Sequence, residues 1–531
     1  MEQFNMNLPE HSQEEIRPAD VVAFERKPES PLLTKVRQNF GLYGGISFIF
    51  GAFFAILFYK AGIGLNILLF TLIIVALLTV IMKKLSIPVK SGTNYYYAGA
   101  ILLALSTTLT ASGILQFINF IGILLLLDLS LLHQFYEDRL WEFMKHLLRM
   151  IGLPFYCLAS VYMPFVDCIN FMKHTKVFKN DKTRNIFLGV VISIPFLWMV
   201  TALLASADLL FGKLTKKLFD VIFSADIFGI AFMILFGFFA CYCIICASVA
   251  RVGMAEKQSG AKADSSIAIT FMTILSLVYL LFCGIQVAYL FAKGLFVLPA
   301  EFTYAEYARR GFFELLAVAI MNVSLILICK AFFQESKLLR VIVTVMTVCT
   351  YIMIVSATYR MLLYIGAYHL TFLRLFVLLS LLIIALVLTG VIASEYVQGF
   401  PLFQYCVAVV SICYIAFSFS KPDYFIAEYL IDHTVLLDRE DMTYLTYELS
   451  LDAAPAVHPI LADSNRWTNG NLSDENNYDR EINSYDGQTP EFIANDYYQR
   501  IASVYSDREI RDFNYAVYLA NQTMKQHLSE K

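Results

Sequence analysis

Glu306, Arg309, Arg310 and Glu314 crowd into "EYARRGFFE", at the mouth of a segment that then becomes almost pure hydrocarbon. Glu306, Arg310 and Glu314 are spaced by four, which on a helix stacks opposite charges along one stripe, each exposed pair worth roughly 0.3–0.5 kcal/mol. Thr303 and Glu306 form a T-x-x-E capping box, so a helix is expected to begin there and continue into the apolar segment. Further along, Arg360, His369 and Arg374 flank the next hairpin end. Two readings fit. The charges anchor helix ends at a membrane interface, with Tyr304 and Tyr307 as belt residues. Alternatively they converge on one polar site for a lipid head group, an envelope precursor or a protein partner.

Three other groups invite chemistry. Asp128 lies inside an apolar run, where a carboxylate is costly; it either serves transport or is satisfied within a helix bundle. His133 and Glu137 stand four apart and could share a helix face as a two-ligand metal pair, or they are ordinary residues closing a span. Cys241, Cys243 and Cys246 in "ACYCIICAS" suggest metal or redox work, yet all ten cysteines fall in or beside apolar segments and read as small packing residues. No P-loop, nucleophile elbow, HExxH, paired CxxC or EF-hand loop occurs, so no cofactor is implied.

The elements that must position these residues follow from composition. Of 531 residues, 58% are hydrophobic and 16% charged, against roughly a quarter charged in a soluble domain. The chain is expected to be a polytopic membrane protein with the bilayer as its first partner. A net charge of −3, without basic blocks, argues against nucleic acid. A spanning helix needs about 20 apolar residues. That length fits about eleven segments, near 41–58, 61–82, 95–111, 114–132, 186–206, 227–250, 267–291, 312–332, 338–357, 371–392 and 403–419. No removable signal is evident in the polar residues 1–40. With that tail inside, about 22 Lys and Arg fall on the inner side and roughly nine in the outer loops, which favours this orientation. The stretch 150–169, interrupted by Pro154 and Pro164, reads as interfacial or re-entrant; if it crosses, the total becomes twelve and later loops change sides.

Residues 421–531 are polar and form a C-terminal helical module around a loop at 464–488. Thr489 and Pro490 start one helix, carrying Phe492, Ile493, Tyr497 and Ile501. Ser506 and Glu509 cap another, with Ile510, Phe513, Val517, Ala520 and Met524 on its apolar stripe. Its own caps and stripes predict that the module needs few contacts with the spans.

"LLASADLLF" (203–211), "FTYAEYARRGFFELLAVAIMN" (302–322), "YRMLLYIGAYHLTFLRL" (359–375), "KPDYFIAEYLI" (421–431) and "YLTYELSLDAAPAV" (444–457) together resemble a bacterial membrane family, domain-of-unknown-function family 4173, related to family 4153. The resemblance runs from about residue 100 to 460. It implies a multi-pass bacterial membrane protein without assigned activity; here "IAEYLI" departs from the family's "YNI" pattern.

The expectation is an all-α transmembrane bundle over 41–420, in the cell membrane, with Glu306, Arg309, Arg310, Glu314, Arg360, His369 and Arg374 on the outer face. A non-enzymatic scaffold, sensor or transporter-like envelope component is the leading function. A membrane transferase acting on a lipid-linked substrate is the alternative. A charged track from Asp128 to Glu314 would favour transport.

Overall fold

A computed structural model describes residues 30–138, 141–174, 225–250, 252, 262–291, 311–462 and 490–530, with scattered positions between 189 and 215. Its described elements are helical. They run α1 (Pro31–Gln38), α2 (Phe40–Phe58), α3 (Leu65–Leu85), α4 (Thr93–Leu109), α5 (Gly113–Phe135), α6 (Phe143–Ala159), α7 (Met163–His174) and α8 (Ala225–Val249). Then follow α9 (Ser265–Phe291), α10 (Phe312–Phe332), α11 (Lys337–Tyr368), α12 (Phe372–Tyr396) and α13 (Leu402–Phe419). The tail adds α14 (Pro422–His433), α15 (Arg439–Thr443), α16 (Ala454–Ala462), α17 (Pro490–Ser506) and α18 (Tyr515–Glu530).

Among the described residues nine helices are long and apolar enough to cross a membrane, or ten if the bent pair α6–α7 is one span. They coincide with nine of the eleven expected segments. The segment 95–111 forms α4, which at 17 residues is shorter than the rest. The segment 186–206 lies outside the described residues, apart from isolated positions, so a count of eleven or twelve is not reached here.

Helix ends sort onto two faces. Antiparallel packing of α2 and α8 places Phe40 beside Tyr242 at one end and Tyr59 beside Asp226 at the other. The first end carries α1, whose preceding Ser30 donates its Oγ to the carbonyl of Val249 at 2.5 Å; it is called the α1 face. The α2–α3 and α4–α5 turns lie on the opposite, tail face, where residues 508–514 and Asp452 bond to them. α6 and α7 bend by 48° at their break. α7 packs against α1-face ends: Arg37 binds Asp167 at 2.9 Å, and Phe40 contacts Phe171. The bend fits a broken span as well as a re-entrant stretch. The sequence expectation was wrong about the break. Pro154 sits within α6, the chain turns at Ser160–Tyr162, and Pro164 occupies the first turn of α7, where a missing N–H costs nothing.

Small residues and a few polar groups fix the packing. Gly51 meets Gly237 where α2 crosses α8, and a Cβ on Gly51 would fall on the Ile234 carbonyl. Such close approach is the means by which helices associate in lipid. Asn119 Oδ1 accepts from Tyr414 and Ser418, both at 2.9 Å, tying α5 to α13. Asn322 donates to Thr350 at 2.9 Å, tying α10 to α11. Two apolar cores result, one among α1–α8 and one among α9–α13.

A third core, built on Leu430, Leu445, Val457, Ile501 and Val517, holds the tail together and touches Leu370, Phe372 and Leu375 of the bundle. Tail boundaries differ from expectation. The last helix begins at Tyr515, where the Asn514 Oδ1 caps Ala516 and Val517, and the capping box falls on Glu509 and Asp512. Ile493, Tyr497, Ile501, Val517, Ala520 and Met524 are buried as the stripes require, whereas Phe492, Ile510 and Phe513 are exposed. Nor is the module separate. Asp512 accepts from Gly62 N at 2.8 Å, Phe513 O accepts from Leu65 N at 2.9 Å, and Asn514 donates to Thr110 O at 2.7 Å. The loop 464–488 lies outside the described residues.

Gly51→Val puts a branched side chain into the α2–α8 contact and is expected to cost about 1–3 kcal/mol through overpacking. Thermal unfolding in detergent should show a clear fall in Tm, while Gly45→Val, where a Cβ meets nothing within 4 Å, should leave it unchanged.

Candidate functional site

The tail-face end of α11 is longer than a span. At 32 residues it reaches about 48 Å, well beyond the roughly 30 Å hydrocarbon core. Its last three turns therefore carry Arg360 and Tyr364 up beside α9 and α10. Arg360 is 8% exposed. Its Nη2 donates to Gln286 Oε1 at 3.2 Å, and the Ser356 Oγ donates to the same oxygen at 2.8 Å. The three residues thus form a polar clasp between α9 and α11.

Beside the clasp is a cavity of about 300 Å³, walled by Val278, Phe282, Leu315, Val318 and Met353, with Glu314 and Arg360 on its lining. Gly311 opens α10 with φ +104°, a left-handed conformation that only glycine adopts freely. A Cβ there would come within 2.5 Å of Arg360 Nη1, so glycine also lets the backbone approach the guanidinium.

Glu314 and Arg360 share this cavity but do not pair. Glu314 is exposed and forms no ion pair with Arg360 within 4 Å, although the antiparallel placement of α10 and α11 brings both to one end. The expectation that a helix from Thr303 runs on through Glu314 is corrected by Gly311, whose left-handed backbone breaks it. Glu306, Arg309 and Arg310 lie outside the described residues.

His369 lies in the turn between α11 and α12, and Arg374 in the first turn of α12. The Arg374 guanidinium stacks 4.2 Å from the Tyr364 ring and donates to the carbonyls of Tyr368, at 2.5 Å, and His369. Tyr364 in turn packs on Phe312, 6.0 Å between ring centroids, so two aromatic rings separate Arg374 from the Arg360 cavity. Beyond Arg374 stands the tail. Burial pushes the Asp441 carboxyl above its ordinary pKa, with His369 among the charges acting on it.

Asp128 belongs to the other half of the molecule. It lies two turns inside the α1-face end of α5, with a buried Oδ2 that finds no hydrogen-bond partner among the described residues. The buried charged side chains among those residues gather near the two faces, Asp138, His146 and Asp167 at one and Arg360, Asp423, Asp452 and Asp512 at the other. No described charged track joins Asp128 to Glu314.

The α1 face holds a cluster that sequence reasoning missed. α5 ends at Phe135, so Glu137 leaves the helix, is exposed and pairs with Lys90 at 3.3 Å, and the expected His133–Glu137 face is not formed. His133 Nδ1 instead meets Asp138 Oδ2 at 2.9 Å, with His146 Nε2 at 3.7 Å from the same oxygen. His146 stacks on Phe403 at 4.3 Å. Burial pushes the Asp138 carboxyl up, but hydrogen bonding and charge from the two histidines outweigh it and hold it well below the usual carboxylate range. No group of three His, Cys, Asp or Glu among the described residues is placed to hold a metal. All ten cysteines are free, and seven are buried.

The many apolar helices among the described residues fit a multi-pass membrane protein. Its family model is the domain of unknown function DUF4153, which matches residues 97–460, and the chain belongs to that family. The chain matches no curated protein and no solved structure. The matched region holds both cavity walls, Arg360, Arg374 and most of the tail core, and stops before α17 and α18.

Asp138→Asn should lower stability on the order of 3 kcal/mol at pH 7, because the histidines lose their buried anion. A carboxyl depressed in the folded state stabilises above the ordinary value near 4 and loses that contribution as pH falls below it. The difference in Tm between wild type and variant should therefore shrink as the pH is lowered towards 3.

Proposed function

We propose that the protein is a non-enzymatic membrane component, a sensor or scaffold, that recognises the anionic head group of a lipid at the tail-face cavity. The carrying observation is Arg360: a cation only 8% exposed, braced by Gln286, at the edge of a cavity whose remaining lining is apolar apart from Tyr279 and the exposed Glu314. A head-group phosphate would meet the guanidinium and an acyl chain would lie along Val278, Phe282 and Val318. Charge-assisted hydrogen bonds from arginine to phosphate are short and about twice as strong as neutral ones, and a low-dielectric wall strengthens them. His369 and Arg374 form a second polar layer next to the tail, through which occupancy of the cavity would reach α14–α16.

The reading also takes the tail face as the outer face, as the Lys and Arg distribution favours, and a bacterial envelope of the family 4173 kind as the setting, on the strength of the motifs at 302–322 and 359–375. Separation of Asp128 from Glu314 speaks against a through-membrane charged track and so against the transporter variant.

Native mass spectrometry of the purified full chain, titrated with phosphatidylglycerol or phosphatidylcholine, tests this. Phosphatidylglycerol should bind in preference, and Arg360→Gln should weaken it about tenfold or more, the equivalent of one lost charged hydrogen bond. Val318→Trp, which fills the cavity and leaves the charge in place, should weaken it too. Equal binding of the two lipids, or of wild type and Val318→Trp, would sink the proposal.

A further inference from the structure

On the α1 face a larger cavity, about 430 Å³, lies between the start of α6 and the ends of α10, α11, α12 and α13. Six ionisable side chains among the described residues line it: Lys262, Lys330 and Arg340, and Glu142, Glu335 and Glu395. Their charges cancel. Two pairs are already closed. Lys262 Nζ binds Glu142 Oε1 at 3.0 Å and the Lys330 carbonyl at 3.1 Å. Lys330 Nζ binds Glu395 Oε1 at 2.9 Å and Ser394 Oγ at 2.7 Å.

One cation is loosely held and one carboxylate remains. Arg340 pairs with Glu395 at 3.8 Å, Nε to Oε2, beyond hydrogen-bond reach; its guanidinium makes no hydrogen bond among the described residues, and its side chain is 40% exposed. Stacking over Tyr396, 5.9 Å to the ring centroid, steadies it. Glu335 has no ion-pair partner among the described residues and is exposed. We infer that this cavity is a binding site for a small zwitterion, its anionic group on Arg340 and its cationic group towards Glu335.

Electrostatics selects that class. An arginine left without hydrogen bonds is a ready fork for a carboxylate or phosphate. A zwitterion adds no net charge to a lining whose charges cancel. It also gives Glu335 a partner and Arg340 the hydrogen bonds that its loose pair with Glu395 does not. The volume lies in the range of small-molecule sites. A latch is built in as well. Glu142 precedes α6 and Lys262 precedes α9, so their pair joins the two apolar cores across the cavity, and Phe143 and Phe403 pack 5.5 Å apart behind it. Ligand entry is therefore coupled to how α6 sits on α13.

Isothermal titration calorimetry on the full chain in detergent, with glycerophosphoethanolamine, a net-neutral phosphodiester zwitterion, as the probe, tests the site. Glycerophosphoethanolamine should bind at least tenfold more tightly than inorganic phosphate or ethanolamine alone. Arg340→Ala and Glu335→Gln should each cost tenfold or more, whereas Glu314→Gln on the opposite face should cost nothing. Glu335→Gln keeps the test decisive should Arg340→Ala misfold, because Glu335 is exposed and unpaired among the described residues. Two further ligands separate the sources: tighter binding of dihexanoyl-phosphatidylethanolamine identifies a lipid head group, and tighter binding of alanine identifies a free amino acid. Half-ligands that bind as well as the zwitterion, variants that bind like wild type, or no zwitterion binding tighter than about 10 mM would overturn the inference.

Discussion

Backbone groups at helix ends are the constraint from which the tail face is built. A helix leaves its last carbonyls and the following turn without internal partners, and near a bilayer water does not always reach them. Here the tail supplies them. Asn514 Nδ2 serves the Thr107 and Thr110 carbonyls, Asp452 accepts from Ala111 N and Thr110 Oγ1, and Asp512 accepts from Gly62 N. Gly64 is required beside them, since a Cβ there would fall on the carbonyls of Asp512 and Phe513. These contacts lock the α2–α3 and α4–α5 turns to α16 and α18, and so fix the platform on which α11 and α12 end.

Much of the bundle is legible in sequence because lipid imposes a length and a composition on every span. Eight of the nine segments could be placed to within a few residues for that reason. What sequence missed is equally physical. α11 runs three turns past its expected end, and Arg360 within it is absorbed by Gln286, which also accepts from Ser356, rather than stopping the helix. Pro154 was read as a break, yet the helix continues through it and turns six residues later, at Ser160. The tail looked self-contained because its apolar stripes are complete, while its docking residues Asp452, Asp512 and Asn514 are short polar side chains that read as ordinary loop chemistry.

Of the candidate site, the residue types were visible and the pairings were not. Glu314 and Arg360 reach one cavity, as antiparallel neighbours must, but a four-residue spacing argument could not foresee the left-handed Gly311 immediately before α10. The same limit hid the α1-face groups. His133 lay one turn from Glu137 on paper; α5 ends between them, and Asp138 takes the histidine instead. Lys330, Arg340 and Glu395 sit at span ends on three different helices, so no local pattern joins them. Apart from Asp128, the buried charged groups among the described residues gather near the two ends of the spans and are organised by helices that meet only in three dimensions.

An electron cryomicroscopy map of the full chain in nanodiscs containing phosphatidylglycerol addresses the tail-face site most directly. The expected map has head-group density about 3 Å from the Arg360 guanidinium, with a chain along Val278 and Val318. A cavity that is empty, or filled by an acyl chain with no polar density at Arg360, would contradict lipid head-group recognition as the function of this face.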